Sequence, residues 1–141
     1  MAADRVFVDT GAWIAFLDAG DEHHKPVAEF FRKSAGELSL VTTDAVVFET
    51  LTYLNCSLKS HRLAVDFYRS VKAASGMDVI SPGSDLFEQA LEEYFFKFDD
   101  KRFSVVDAVS FLVMNRLGLH RALTLDRHFQ EVGFEMVIGV A

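Results

Sequence analysis

Short apolar runs alternate with amphipathic stretches along the whole chain. Val6-Phe7-Val8 is an unbroken apolar run with two β-branched residues, which predicts a strand buried on both faces. It stops abruptly at Asp9-Thr10-Gly11, and a helical pattern from Ala12 to Asp18 follows at once. Pro26 suits the first turn of a second helix, which carries Val27, Phe30 and Phe31 to about Ser34. Leu38-Ser39-Leu40-Val41 reads as the next strand, and Asp44 as the N-cap of a helix from Ala45 to Asn55 with a broad apolar side. Ser60 caps a helix through Leu63, Phe67 and Val71 that ends near Gly76. Met77 to Ser81 is a third strand, and a helix beginning at Ser84 or Asp85 runs through Tyr94 and Phe95. Ser104 opens the most hydrophobic helix, which ends at Leu117-Gly118. Ala122 to Leu125 is a fourth strand closed by Asp126. One turn, Arg127 to Gln130, leads to a last strand at Met136-Val137-Ile138.

Strands that alternate with helices call for helical crossovers between parallel neighbours. The expected fold is therefore α/β: an α/β/α sandwich with a mostly parallel central sheet of about five strands, one domain over residues 1–141. The last link is too short for a full helical crossover, so the orientation of the edge strand stays open at this point. There is no internal repeat, low-complexity segment or linker.

Four carboxylates interrupt this pattern where acids are least expected. Asp9 and Asp126 each end a buried apolar strand, with Thr10 after the first and Thr124 two residues before the second. Glu49 lies inside the apolar run of its helix, and Asp107 lies in the first turn of a helix that is apolar nearly all round. Each has an ordinary explanation. Asp9 suits a helix cap, Ser104 and Asp107 suit a capping box, Glu49 suits a solvent stripe and Asp126 suits a turn. Taken jointly, acids without local cationic partners point to a shared metal site, because an unpaired buried carboxylate is costly. Carboxylate oxygens without Cys, and without His at a fixed spacing, suit Mg²⁺ or Mn²⁺. The chemistry such ions serve on a carboxylate platform is phosphodiester hydrolysis.

Charge and composition narrow this picture. The net charge of −7 argues against a general nucleic-acid-binding surface, though not against a nuclease whose acidic site is neutralised by metal. The single cysteine, Cys56, excludes an intrachain disulfide and disfavours a cysteine zinc site. No apolar run spans a bilayer, and Met1 to Arg5 lacks the features of a signal peptide, so the expected compartment is the cytoplasm. The 14 Phe argue for a large interior or a buried interface. Trp13, Phe16, Leu17, Phe30 and Phe31 supply more apolar surface than one core face of the early helices needs, so a partner surface is one of two readings there.

The markers Val8-Asp9-Thr10, Glu49 in the third helix, Phe103-Ser104-Val105-Val106-Asp107-Ala108, and Leu123-Thr124-Leu125-Asp126-Arg127-His128-Phe129 together resemble the PIN-domain ribonucleases. Within that family the chain looks most like the VapC-type toxins of toxin–antitoxin pairs. The resemblance covers essentially the whole chain. It implies a metal-dependent endoribonuclease with Asp9, Glu49, Asp107 and Asp126 as catalytic and metal-binding residues. Thr10 and Ser104 would hold the site by hydrogen bonds, and Thr124 joins them as a supporting residue. The implied partners are an RNA substrate, a cognate antitoxin and a second copy in a homodimer. Lys101, Arg102 and Arg127 flank the crevice in sequence and are candidates for phosphate contacts. His23 and His24 are expected at the surface or the helix entry. Asp99 and Asp100 are either a solvated loop or an extension of the acidic cluster. Phe129 is expected to pack and His128 to be exposed. Three alternatives stand beside this reading: a housekeeping RNA-processing nuclease, a non-catalytic module of the same fold, and a phosphoryl-transfer enzyme with Asp9 as nucleophile. Gly11, where the last class usually has a second Asp, argues against it.

Overall fold

The computed structural model describes residues 4–139, so residues 1–3 and 140–141 of the expected domain lie outside the described residues. The elements follow the order β1 (Asp4–Val8), α1 (Thr10–Leu17), α2 (His24–Ser34), β2 (Leu38–Thr43), α3 (Asp44–Thr52), α4 (His61–Ala73), β3 (Met77–Ile80), α5 (Ser84–Ala90), α6 (Val105–Leu117), β4 (Arg121–Leu123), α7 (His128–Glu131) and β5 (Glu135–Met136). The strands form one sheet in the order β3-β2-β1-β4-β5, and every described pairing is parallel. Helices flank it as an α/β/α sandwich. The four-residue α7 suffices to carry the chain from β4 to a parallel β5, which settles the orientation of the edge.

β1 is central, and Val6, Phe7 and Val8 are fully buried, as their unbroken apolar run requires. The chain leaves β1 to build β2 and β3 on one side, then returns to place β4 on the other. The carboxyl ends of β1 and β4 therefore flank the point where the strand order reverses, which is where open α/β sheets form a crevice.

Local chemistry explains several helix ends. Ser60 caps α4 by accepting from the Leu63 N–H at 3.2 Å, and Gly118 ends α6 in the left-handed conformation at φ 68°, which favours glycine. Asp44 is not the cap of α3. Thr43 holds that position, its hydroxyl accepting from the Val46 N–H at 3.1 Å, while Asp44 sits in the first turn beside the positive helix end. A hydroxyl at the end of a strand can turn onto the helix amides, so the cap falls one residue earlier than the run of polarity implies. α3 and α5 then widen over Tyr53–Ser57 and Leu91–Phe95. There the Leu58 N–H reaches the Tyr53 carbonyl at 3.0 Å and the Phe96 N–H reaches the Leu91 carbonyl at 2.7 Å.

Most of the phenylalanines fall into two ring clusters. One surrounds the fully buried Phe111, with ring centroids of Phe129 at 4.8 Å, Phe103 at 5.1 Å and Tyr94 at 5.4 Å. The other surrounds Phe31, with Phe16 at 4.5 Å and Trp13 at 5.5 Å. The early aromatic surplus thus has a divided fate. Trp13 is core, while Trp13, Phe16, Leu17 and Phe31 also wall an apolar groove of about 280 Å³, completed by Phe67 and Val71 of α4 and by Leu40 and Met77.

Candidate active site

The first question at the crevice is what Asp9 does. It precedes α1, in the cap position, yet its side chain makes no cap hydrogen bond. The carboxylate turns toward β4 instead, where its Oδ2 accepts from the Thr124 hydroxyl at 2.9 Å. That hydroxyl in turn accepts from the Asp126 N–H at 3.0 Å. Thr124, itself fully buried, thereby ties the ends of β1 and β4 together at the two carboxylates. The backbone agrees, since the Asp9 N–H extends the ladder to the Leu123 carbonyl at 3.1 Å. On the other side of β1, the Thr42 hydroxyl donates to the Val8 carbonyl at 2.9 Å.

Asp107 arrives by a different route. The capping box forms in full: the Ser104 N–H donates to Asp107 Oδ2 at 3.0 Å, and the Asp107 N–H donates to the Ser104 hydroxyl at 3.0 Å. Capping and site readings are compatible, because the box engages one carboxylate oxygen and fixes the direction of the other. Glu49 is exposed on α3, as a solvent stripe requires, but the surface it faces is the same cleft. Asp9, Glu49, Asp107 and Asp126 together line a cleft of about 490 Å³, with Thr10, Gly11, Ile14, Tyr53, Ser104 and Leu125.

Asp9 is the most strongly perturbed of the four. Burial pushes its pKa up to about 7, and the Asp107 and Asp126 charges push the same way, while the Thr10 backbone N–H and the Thr124 hydroxyl oppose them. Burial also raises Asp107, opposed by its Ser104 hydrogen bonds and helped by the charges of Asp126 and Glu49. Donor atoms of Asp107, Asp126 and His128 lie within 4.8 Å of one another, a spacing that fits one cation.

Other predicted residues fall outside this centre. The Thr10 hydroxyl is buried without a hydrogen-bond partner among the described residues, so the contribution of Thr10 comes from its backbone. Lys101, Arg102 and Arg127 do not line the cleft, and Lys101 pairs with Glu131 at 3.5 Å and Asp100 at 3.8 Å. Asp99 and Asp100 sit exposed in the turn before α6. His23 and His24 mark the entry to α2, where His24 Nδ1 lies 2.8 Å from the Ala15 carbonyl.

Two residues of the site were not expected there. His128 is half-buried rather than exposed, because α7 folds it back: Nδ1 lies 3.1 Å from Asp126 Oδ1 and the ring meets Phe103 edge-on at 5.1 Å. Tyr53 lines the cleft one helical turn after Glu49, and that i, i+4 spacing was the available signal.

The PIN-domain family model matches residues 6–135. The 23S rRNA-specific endonuclease VapC20 of Mycobacterium tuberculosis is 33% identical over 129 residues, spanning 92% of this chain and 95% of that protein. Ribonuclease VapC26 of the same organism is 32% identical over 128 residues, spanning 88% and 89%. The crystal structure of VapC20, described as a sarcin–ricin loop cleaving toxin, is similar with a TM-score of 0.84 at 32% identity over 94% of this chain and 98% of that one. DNA-bound VapBC from Salmonella typhimurium shares the fold, with a TM-score of 0.66 at 15% identity over 96% and 97% of the two chains.

Proposed function

The chain belongs to the PIN-domain family, and on that footing we propose that it is a divalent-metal-dependent endoribonuclease, the toxin of a VapBC-type pair. One observation carries the reading. Four carboxylates from β1, α3, α6 and the end of β4 converge on one cleft that no Lys or Arg lines among the described residues.

The donor set fits Mg²⁺ or Mn²⁺. It is made of carboxylate oxygens, with the His128 ring beside Asp107 and Asp126, and Asp9 and Asp107 are pushed toward the neutral form by burial and by neighbouring carboxylate charges. Asp9, Asp107 and Asp126, with Glu49 from the exposed wall, would hold the ion. When bound, the cation supplies charge compensation, activation of water and stabilisation of the charge that builds on the phosphate. The protein's own part is positioning. Thr124 orients Asp9 and the Asp126 backbone, and the Ser104 box orients Asp107.

RNA is the substrate class that follows from the ribonuclease relatives. A cognate antitoxin is the partner that follows from a VapC-type toxin, and the apolar groove walled by Phe16, Leu17 and Phe31 is the surface we assign to it. A homodimer and a cytoplasmic location belong to the same reading. No helix among the described residues is long and apolar enough to cross a membrane.

The test is cleavage of single-stranded and structured RNA with and without divalent ions. Cleavage is expected to require Mg²⁺ or Mn²⁺, and to fall by about 10²-fold or more in Asp9→Asn, Asp107→Asn and Asp126→Asn proteins that stay folded. Undiminished cleavage in those variants refutes the assignment. A small DNA-binding protein encoded beside the gene would separate a toxin from a housekeeping nuclease.

A further inference from the structure

We propose that Tyr53 is the platform on which an unstacked base of the RNA lies beside the scissile phosphodiester, so that the enzyme grips its substrate by base stacking rather than by phosphate charge. The inference rests on the ribonuclease reading and says how that same cleft holds RNA. The cleft is acidic, and among the described residues no cationic side chain lines it. Within the cleft lining, the attraction for a polyanion is that of a bound metal ion, and uncharged surface is what adds affinity there. The apolar lining is Ile14 of α1, Leu125 just past β4, and the ring of Tyr53.

Tyr53 is not consumed by the fold. It is 37% exposed. Among the described residues its ring meets no other aromatic ring and its hydroxyl has no hydrogen-bond partner. Tyr94 is a contrast: it is buried, packed on Phe111 and hydrogen-bonded to Asn115. Tyr53 stands one turn from Glu49, and at that residue α3 gives way to its wide turn, with the Leu58 N–H on the Tyr53 carbonyl. Local widening of this kind is frequent at functional sites. An aromatic face beside a metal-held phosphate accepts any base, provided the base is out of a duplex. The chemical class of substrate is thus RNA with an unpaired, splayed-out nucleotide at the cut, as in a loop or bulge.

The experiment uses the full chain and a single-stranded RNA heptamer carrying one 2-aminopurine, placed at each position in turn. Ca²⁺ replaces Mg²⁺, and the oligomer is checked to be intact after the measurement. In the wild type, one position is expected to be quenched on binding. Tyr53→Ala is expected to weaken binding about ten-fold and to abolish that quench, while Tyr53→Phe and Tyr53→Trp stay within about two-fold. Cleavage in Mg²⁺ is expected to show the loss in KM, with kcat held within about two-fold. The dependence of binding on salt is expected to be shallow, with about one counterion released. Wild-type binding and quench in Tyr53→Ala overturn the proposal, and so does a Tyr53→Phe protein as weak as Tyr53→Ala, which would assign the role to the hydroxyl. If the wild type neither binds nor cleaves any RNA with divalent ions present, the ribonuclease reading falls and this one with it. Cleavage that persists without a Tyr53 effect removes this one alone.

Discussion

At the scale of single residues, Asp9 carries the most unusual physics of the molecule. A carboxyl whose pKa is raised from 3.8 to about 7 binds its proton more tightly folded than unfolded. Its contribution to stability is full below the unfolded pKa and is lost as pH climbs through about 7. For the whole shift this loss is on the order of 4 kcal/mol. Asp9→Asn, which keeps the group neutral, is therefore expected to raise the melting temperature of the metal-free protein at pH 8, and to raise it by less than half as much at pH 5, where the folded carboxyl holds its proton but the unfolded one has largely lost it. Added Mg²⁺ or Mn²⁺ should recover the loss in the wild type at pH 8 and do little for the variant. Thermal melts at the two pH values, with chelator or metal, check both signs. Thr124 acts through two other residues. Thr124→Val removes the hydroxyl that links Asp9 Oδ2 to the Asp126 N–H. It is expected to weaken Mn²⁺ binding by roughly 10–100-fold, read by calorimetry, because ligand orientation is what it supplies.

At the scale of elements, α6 shows how an ordinary helix start becomes part of a site. Ser104→Ala breaks one half of the capping box and is expected to cost about 1 kcal/mol in denaturant unfolding. The loss of metal affinity should exceed what Ser104→Ala does once Asp107 is already Asn, since the box matters to the site only through that carboxylate. This double role explains what the residue pattern could and could not reveal. The central strand was legible because Val6-Phe7-Val8 has no polar face, and the parallel sheet follows from the helices between the strands. The acids were legible because they interrupt that pattern. The cap of α3 was not, since Thr43 and Asp44 are both good caps and only the strand's end decides between them. His128 was missed because it depends on how a one-turn helix folds back over Asp126. The three cations near the site in sequence lie outside the cleft lining, because adjacency in the chain says nothing about the direction of a side chain at a turn.

At the scale of the whole molecule, α1 is shared by two surfaces. Thr10, Gly11 and Ile14 face the acidic cleft, and Trp13, Phe16 and Leu17 face the apolar groove. The two surfaces have no lining residue in common, so binding in the groove and chemistry in the cleft are separable by substitution even though one helix serves both. Phe16 is the residue to change. It is 37% exposed, whereas Trp13 is core and its loss would cost folding. Phe16→Glu places a charge where an apolar partner segment would have to be buried, and such a partner cannot compensate it. The variant is expected to keep its melting temperature within a few degrees and to keep wild-type RNA cleavage. In co-purification and in inhibition titrations with the cognate antitoxin proposed above, it is expected to lose about ten-fold or more in affinity. A variant that stays fully inhibited would move the partner surface elsewhere. A variant that loses cleavage as well would mean that α1 transmits the disturbance, and the groove would then be a lever on Asp9 rather than an independent surface.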